Sequence, residues 1–156
     1  MTPGGIPVKI QTKFFGEVEC AEEDLLHFPK GLFGFEEEHD FLPLSYDEEG
    51  TLYSLQSVGS YHLSFTLMHP FSLDPDYAPV LREEELQALG VEKSEDLYYF
   101  VMCTVRDPVS ESTVNMKCPL AINPDTHQAL QVILEDGKLS MRQKLADFRG
   151  EEAAPC

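Results

Sequence analysis

The sequence predicts a mainly β, antiparallel, barrel-like single domain with one short helix. An uncharged strand-like run at residues 97–105 shows no polar alternation, which favours a strand buried on both faces. About ten short strand-like segments follow one another along the chain, with turn signals roughly every eight to twelve residues, as in barrels and sandwiches. We favour a barrel-like closure because an open sheet of this size would leave reactive edges.

The N-terminal part of the chain contains three predicted strands followed by a loop with two glycines. Residues 8–13 alternate between polar side chains and apolar or β-branched ones, and residues 17–20 do the same, so together they predict a hairpin. Residues 25–28 form a third short strand. Gly31 and Gly34 keep the chain that follows irregular.

The middle of the chain contains three further strands, a proline-rich stretch and the one predicted helix. The strands lie at residues 41–46, 51–58 and 63–69. Residues 70–79 contain three prolines, each of which removes a donor and restrains its predecessor, so this stretch predicts an irregular surface loop. Residues 82–89 predict a helix, because three glutamates in its first turn oppose the helix dipole and a glycine follows its end.

The C-terminal third continues the sheet. Three strand-like segments follow the central run, at residues 113–116, 120–122 and 128–134, each separated by proline, asparagine or aspartate. Asp136-Gly137 is a two-residue hairpin signal, which predicts that residues 132–135 pair with residues 138–141.

Length and cysteine usage limit the organisation and the compartment. A chain of 156 residues fits one domain, and we assign residues 1–145 to the β domain and residues 146–156, which lack periodicity, to a flexible acidic tail. The four cysteines form no C-x-x-C pair and indicate a reducing compartment. Without a signal-like N-terminus or a long apolar run, we expect a cytoplasmic protein.

The charge is strongly acidic and narrows the class of partner. The chain has 11 Lys and Arg against 28 Asp and Glu, a formal net charge of −17. Such a charge disfavours direct binding to nucleic acid or to an anionic membrane, because both present phosphate groups. It favours encounter with basic proteins, or repulsion of nucleic acid from a protein that is already bound.

Catalytic and metal-binding patterns are missing from the sequence. The five histidines lie at no metal-ligand spacing, and neither a P-loop nor a G-x-S-x-G elbow occurs. We therefore predict no enzyme, no catalytic residue, no metal and no cofactor. Carboxylates are numerous enough to keep one alternative open, a small carboxylate-dependent enzyme or a ligand-binding β-barrel.

Two segments combine aromatic and acidic residues. In the first, Phe33 and Phe35 stand beside two glycines and directly before an acidic run, so the rings either close one end of the barrel or form a partner-facing patch rimmed by acid. In the second, Phe71 precedes two aspartates in the proline-rich stretch. The candidate protein-binding residues are Phe33, Phe35, Glu36, Glu37, Phe71, Asp74 and Asp76.

Six pieces of the chain, in this order, resemble the family of the flagellar assembly factor FliW. They are Lys9-Ile10-Gln11-Thr12-Lys13-Phe14-Phe15-Gly16-Glu17-Val18, Phe28-Pro29-x-Gly31-Leu32-x-Gly34-Phe35-Glu36, Leu55-Gln56-Ser57, Pro70-Phe71 with Asp76-Tyr77, Thr113-Val114-Asn115-x-Lys117-x-Pro119-Leu120-x-Ile122-Asn123, and Gln131-Val132-Ile133-Leu134. The similarity extends over most of the chain.

The resemblance implies a non-enzymatic protein antagonist. Members of the family bind CsrA, a small dimeric regulator that blocks translation of flagellin messenger RNA, and they also bind flagellin in the cytoplasm. The resemblance thus implies two competing protein partners, CsrA and flagellin, and a link between flagellin synthesis and export. We expect the chain to be a monomer on its own.

Overall fold

The structure is a computed structural model, and it describes residues 8–149. These residues form eleven short strands and three short α-helices. The strands are β1 (Val8–Gln11), β2 (Glu17–Cys20), β3 (Leu26–His27), β4 (Asp40–Ser45), β5 (Leu52–Ser57), β6 (Ser64–Met68), β7 (Tyr98–Thr104), β8 (Thr113–Val114), β9 (Leu120–Ile122), β10 (Ala129–Gln131) and β11 (Gln143–Lys144). The helices are α1 (Pro70–Leu73), α2 (Glu83–Leu89) and α3 (Leu145–Arg149).

Strand β7, the uncharged run of the sequence, lies at the centre of the sheet. It pairs with β6 along one side and with β8 and β9 along the other. The strand order is β10-β9-β7-β6-β5-β4-β3, with β8 and β11 as a side branch and β1 and β2 as a separate hairpin, and the paired strands are antiparallel. The mainly β, antiparallel fold is confirmed.

The two ends of the sheet approach each other. The His27 N–H in β3 donates a hydrogen bond of 3.0 Å to the carbonyl of His127, and an isolated parallel bridge joins His27 to Gln128, just before β10. No continuous ladder among the described residues joins β3 to β10, so the sheet is barrel-like rather than a closed barrel.

The inner face of the curved sheet is filled with apolar side chains. Phe100 of β7 lies here, and each strand from β3 to β10 on the main path contributes at least one residue. The inner cluster consists of Leu26, Phe28, Leu32, Phe41, Leu55, Leu67, Phe100, Leu120, Ile122 and Ala129. Close packing of these side chains supplies most of the stabilisation of this half of the domain.

The outer face of β7 carries a second apolar cluster. Because side chains alternate along a strand, Tyr99, Val101 and Cys103 point away from Phe100. The chain between β6 and β7, which includes α1 and α2, covers them. Tyr77 from this segment is buried and donates its hydroxyl to the carbonyl of Met116 at 2.6 Å. We call these residues and their neighbours the outer cluster.

Helix α2 agrees with the sequence prediction, and two further short helices add to it. Residues 70–73, predicted as irregular, form α1, so that prediction is wrong for these four residues. The reason is that Pro70 occupies the first position of the helix, where the missing N–H has no helical partner to lose. None of the described helices is long and apolar enough to cross a membrane.

The predicted hairpin around Asp136-Gly137 is wrong. The N–H of Leu134 donates to the carbonyl of Lys117 at 2.8 Å, and the N–H of Met116 donates to the carbonyl of Ser140 at 3.0 Å. Both arms of the expected hairpin therefore pair with the segment around Met116, which lies between them. This non-local pairing replaces the local ladder that the turn signal predicted.

Helix α3 spans the predicted boundary between the β domain, residues 1–145, and the acidic tail, residues 146–156. It runs over Leu145–Arg149 and includes the first four residues of the predicted tail. Residues 150–156, like residues 1–7, lie outside the described part of the chain. The flexible acidic tail therefore stays a prediction.

Asn123 connects helix α2 to the turn between β9 and β10. Its buried side chain donates to the carbonyl of Leu89 at 2.8 Å and accepts the N–H groups of Asp125 at 2.8 Å and Thr126 at 3.2 Å. These bonds satisfy one of the terminal carbonyls of the helix and fix the turn. The same side chain thus positions two elements that border the surface described below.

We expect Asn123→Ala to destabilise the domain by about 2–4 kcal/mol, because it leaves buried backbone groups without partners. Urea denaturation measures the change. The matched control is Asp125→Ala, which removes an exposed side chain from the same turn and is expected to stay within about 0.5 kcal/mol of the parent. Equal effects of the two substitutions would show that Asn123 has no linking role.

Candidate protein-binding surface

Two adjoining grooves lie along the extended segment that follows β10. The first groove has a volume of about 370 Å³, and Phe33, Arg82 and Ile133 are among the residues that line it. The second has a volume of about 280 Å³ and is lined by Val80, by Leu134 and by residues close to each of them in the sequence. The two grooves adjoin along this segment, because Ile133 lines the first and Leu134 lines the second. We name the following set the edge surface: Phe33, Val80 and Ile133, with the carboxylates of Asp74, Asp76, Glu135 and Asp136.

Ile133 is exposed because of strand alternation at the end of the sheet. Val132 and Leu134 point into the outer cluster and are buried, whereas Ile133 points to the opposite side and is 48% exposed. The inner cluster no longer extends to this position. The sequence predicted a strand over residues 128–134 without indicating which of its side chains are exposed, so the exposure of Ile133 was missed.

Phe33 reaches the edge surface through a tight turn. Its N–H donates to the side-chain oxygen of Gln131 at 2.8 Å, and the Gln131 amide nitrogen donates to the carbonyl of Cys118 at 3.3 Å. Leu32, the preceding residue, is buried in the inner cluster. The turn therefore holds Leu32 inside and leaves Phe33 49% exposed.

Phe35 belongs to the same turn and has different neighbours. Its ring packs edge to face on the partly buried Phe65, with 5.2 Å between centroids, and stays 40% exposed. Neither ring is fully interior, so the structure leaves both a closing role and a partner-facing role open to this segment. Phe35 partly covers Phe65, and Phe33 is open to a partner.

The acidic run after this turn is held in place mainly by its last residue, Glu38. Glu38 accepts hydrogen bonds from the hydroxyls of Ser57 at 2.5 Å and Ser60 at 2.8 Å, and these bonds lower the pKa of Glu38 because they stabilise its charged form. Glu36 accepts the N–H of Gly34 at 3.1 Å, whereas Glu37 is simply exposed. Hydrogen bonds therefore fix the carboxylates of Glu38 and Glu36 relative to the backbone.

Phe71 does not join Phe35 in one patch. It lies on α1 and packs against Tyr77 and Tyr99, at centroid distances of 5.9 Å and 6.3 Å. Tyr99 is in the outer cluster, whereas Phe65, the neighbour of Phe35, packs on the inner one. The two rings therefore lie on opposite faces of the sheet.

The aspartates after α1 do reach the edge surface. Asp74 and Asp76 line the second groove, where Asp74 accepts the N–H of Asp76 at 3.0 Å. Glu135 and Asp136 face them across that groove, and sequence reasoning had assigned them to a hairpin instead. Val80, 76% exposed beside Pro79, was also missed, although an apolar residue in a proline-rich stretch is a usable signal.

A second group of exposed aromatic rings lies away from this surface. Phe14, Phe15 and Tyr46 are 56%, 36% and 42% exposed, and both phenylalanines lie within about 6 Å of the tyrosine ring. Sequence reasoning treated the first two as part of a hairpin.

The cations near the edge surface do not neutralise it. Arg82 pairs with Glu85 at 2.9 Å and Glu84 at 3.7 Å, and the hydrogen bond to Glu85 raises the pKa of the guanidinium. Its charge is thus compensated by its own helix. Lys30 also lines the first groove, and the Lys117 ammonium donates to the carbonyl of Asp136 at 3.4 Å. With Glu84 and Glu85 included, six carboxylates line the two grooves and outnumber these three cations, so the region keeps an excess of negative charge.

The described residues offer little for covalent or metal chemistry. In residues 8–149, no group of three or more histidine, cysteine or acidic side chains is placed to hold a metal ion. Cys103 and Cys118 are buried, and burial raises the pKa of both thiols, which disfavours the reactive thiolate. Exposed apolar side chains next to carboxylates are suited to docking a basic protein.

The two glycines of the Phe33 turn test its construction. Both have a positive φ, but a Cβ on Gly31 would lie 2.6 Å from backbone atoms of Phe35 and Glu36, whereas a Cβ on Gly34 would meet nothing within 4 Å. We expect Gly31→Ala to cost at least about 3 kcal/mol and Gly34→Ala about 1 kcal/mol in urea denaturation. Similar losses for the two variants would contradict this packing.

Glu38 gives a pH-dependent prediction. Because its pKa is lowered on folding, its carboxylate stabilises the fold above the ordinary pKa of a glutamate, and this contribution is lost as the pH falls through the lowered value. We expect Glu38→Gln to destabilise by less than about 1 kcal/mol at pH 7 and to be neutral at an acid pH below the lowered pKa, where the carboxyl is protonated. Denaturation at both pH values, with Glu37→Gln as control, checks this, and a pH-independent loss would refute it.

Comparison with known proteins places this geometry in a family. The sequence model of the FliW protein matches residues 9–145. The chain is 36% identical over 138 residues to the flagellar assembly factor FliW of Desulfitobacterium hafniense, which covers 88% of this chain and 91% of the relative. It is 33% identical over 135 residues to that of Shouchella clausii, covering 86% and 92% of the two chains.

A solved structure supports the same assignment. The crystal structure of a flagellar assembly factor FliW superimposes with a TM-score of 0.81 at 35% identity, over 88% of this chain and 96% of the other. Sequence and fold therefore agree over nearly the whole described chain. The chain belongs to the FliW family of flagellar assembly factors.

Proposed function

We propose that this flagellar assembly factor is a non-enzymatic, cytoplasmic regulator that acts by binding two proteins. One is CsrA, the translational repressor implied by the family resemblance, and the other is flagellin. The factor antagonises CsrA when it is free. Flagellin that accumulates before export occupies the factor, so CsrA regains its hold on flagellin messenger RNA until export lowers the flagellin pool.

The edge surface is the observation that carries this proposal. The apolar side chains of Phe33, Val80 and Ile133 are exposed to solvent, and the four carboxylates of the edge surface lie next to them. Exposed apolar residues rimmed by polar ones are typical of protein interfaces. The central apolar residues supply binding energy on contact, and the rim supplies orientation and rate of encounter.

The net charge explains how binding opposes RNA without occupying the RNA site. CsrA-type proteins bind RNA through a basic surface, and an acidic body of net charge −17 docked beside that surface lowers the local positive potential. RNA binding depends strongly on this potential, because phosphate contacts supply much of the affinity. The factor thus weakens the binding of RNA to CsrA through its negative electrostatic potential.

The filled interior supports a binding role over the alternative of a ligand-binding barrel. The inner cluster contains Phe28, Phe41 and Leu55, each with no exposed area, where a ligand-binding barrel would need a cavity. The grooves of the edge surface are open to solvent and are lined by carboxylates of solvent-accessible residues. Such carboxylates are suited to attracting a basic partner.

A charge-neutralising variant tests the proposal. In the edge variant, Asp74 and Asp76 become Asn, Glu135 becomes Gln and Asp136 becomes Asn. We expect its association rate with CsrA at low salt to fall about tenfold, because local carboxylates steer encounter. Stopped-flow binding at several salt concentrations measures the rate, which in the parent is expected to fall as salt rises.

The matched control removes the same charge elsewhere. In this control, four exposed glutamates become Gln: Glu22, Glu23, Glu48 and Glu49. We expect its association rate with CsrA to fall by less than about threefold. A displacement assay then asks whether flagellin releases CsrA from the parent. Absence of binding to both CsrA and flagellin at micromolar concentration and low salt would remove the proposal.

A further inference from the structure

The backbone of the edge surface is an unpaired strand edge. The N–H of Val132 donates to the carbonyl of Pro119 at 3.1 Å, and that of Leu134 donates to Lys117 at 2.8 Å. In an antiparallel ladder, alternate residues turn their N–H and C=O groups toward the partner strand and away from it. Ile133 and Glu135 therefore direct their backbone groups away from residues 117–119, toward solvent.

These outward groups have no hydrogen-bond partner in the part of the chain that the structure describes. Among residues 8–149, no recorded hydrogen bond uses the backbone N–H or C=O of Ile133 or Glu135. Both residues are exposed, so the two donors and two acceptors are accessible. An exposed edge of this kind is a template for pairing with a strand of another chain.

The other end of the sheet is protected against such pairing. Strand β3 covers only the first part of β4, and the register of β4 with β5 turns Pro43 toward the uncovered edge. Proline has no N–H to offer an incoming strand. The fold thus blocks one edge and leaves the other open beside exposed apolar side chains.

We propose that the edge at Ile133–Glu135 receives a β-strand from a basic protein partner. The added strand pairs with the outward backbone groups and carries an apolar residue opposite Ile133 and a Lys or Arg two positions away, opposite Glu135. The spacing follows from strand alternation, which puts Ile133 and Glu135 on the same face of the sheet. This inference rests on the proposed protein-binding function and specifies the form of its contact.

Charge selects this occupant over a second copy of the chain. Two copies paired through this edge would bring both sets of Asp74, Asp76, Glu135 and Asp136 together, and each molecule has a net charge of −17. Like charges opposite one another in a sheet are destabilising. A segment with Lys or Arg meets the same carboxylates with favourable energy.

Backbone substitution separates strand pairing from side-chain contact. Ile133→Pro removes the outward N–H, whereas Ile133→Ala removes most of the side chain and keeps the N–H. We expect the proline variant to bind CsrA or flagellin at least about tenfold more weakly than the alanine variant, the loss from at least one hydrogen bond. Thermal unfolding verifies that both variants fold.

Amide hydrogen exchange of the unmodified chain provides a second measurement that needs no variant. We expect the amides of Ile133 and Glu135 to gain at least tenfold protection when a partner or a synthetic peptide with alternating Leu and Lys is bound. If CsrA or flagellin binds, but these amides stay unprotected and the two variants bind equally, strand addition is wrong and the proposed function stands.

Two further outcomes also decide the matter. If neither protein binds and the peptide gives no protection at Ile133 and Glu135, both the strand addition and the proposed function are overturned. If sedimentation shows a dimer of the chain that Ile133→Pro dissociates, the occupant is a second copy and the basic partner is wrong. Protection by the peptide with no binding of either protein supports the edge and removes only the named partners.

Discussion

The burial of β7 on both faces is the constraint on which the rest of the structure depends. An uncharged strand in this position requires two apolar layers, and the inner and outer clusters supply them through alternate side chains such as Phe100 and Val101. The inner layer curves the sheet until its ends meet near His27. The outer layer requires the cover formed by α1, α2 and the segment that carries Tyr77.

That cover also creates the edge surface. The chain that leaves β10 must place Val132 and Leu134 in the outer cluster, and this leaves Ile133 pointing outward with its backbone unpaired. The return of the chain along the outer face brings Asp74 and Val80 to the adjoining groove, beside Leu134 and Glu135. A surface for binding is therefore a direct consequence of how the second layer is closed, and the acidic composition sets the charge of any partner.

Sequence patterns predicted the elements that depend on interactions between residues close together in the chain. The uncharged run identified β7, and glutamates before a glycine identified α2. The hairpin at Asp136-Gly137 failed because pairing with the segment around Met116 is non-local and outweighs a turn signal. Of the candidate residues that the sequence offered, Phe33, Asp74 and Asp76 lie at the edge surface. The separation of Phe35 from Phe71 depends on which face each strand presents, and spacing along the chain does not contain that information.

The central claim is that one acidic, partly apolar surface at the open edge of the sheet binds the partner protein. Titration of the isotope-labelled chain with CsrA, followed by amide chemical-shift changes at every described residue, tests it most directly. The account predicts that the changes concentrate at Phe33, the segment around Val80 and residues 131–136. Changes concentrated instead around Phe14, Phe15 and Tyr46, with the edge surface unaffected, would contradict it.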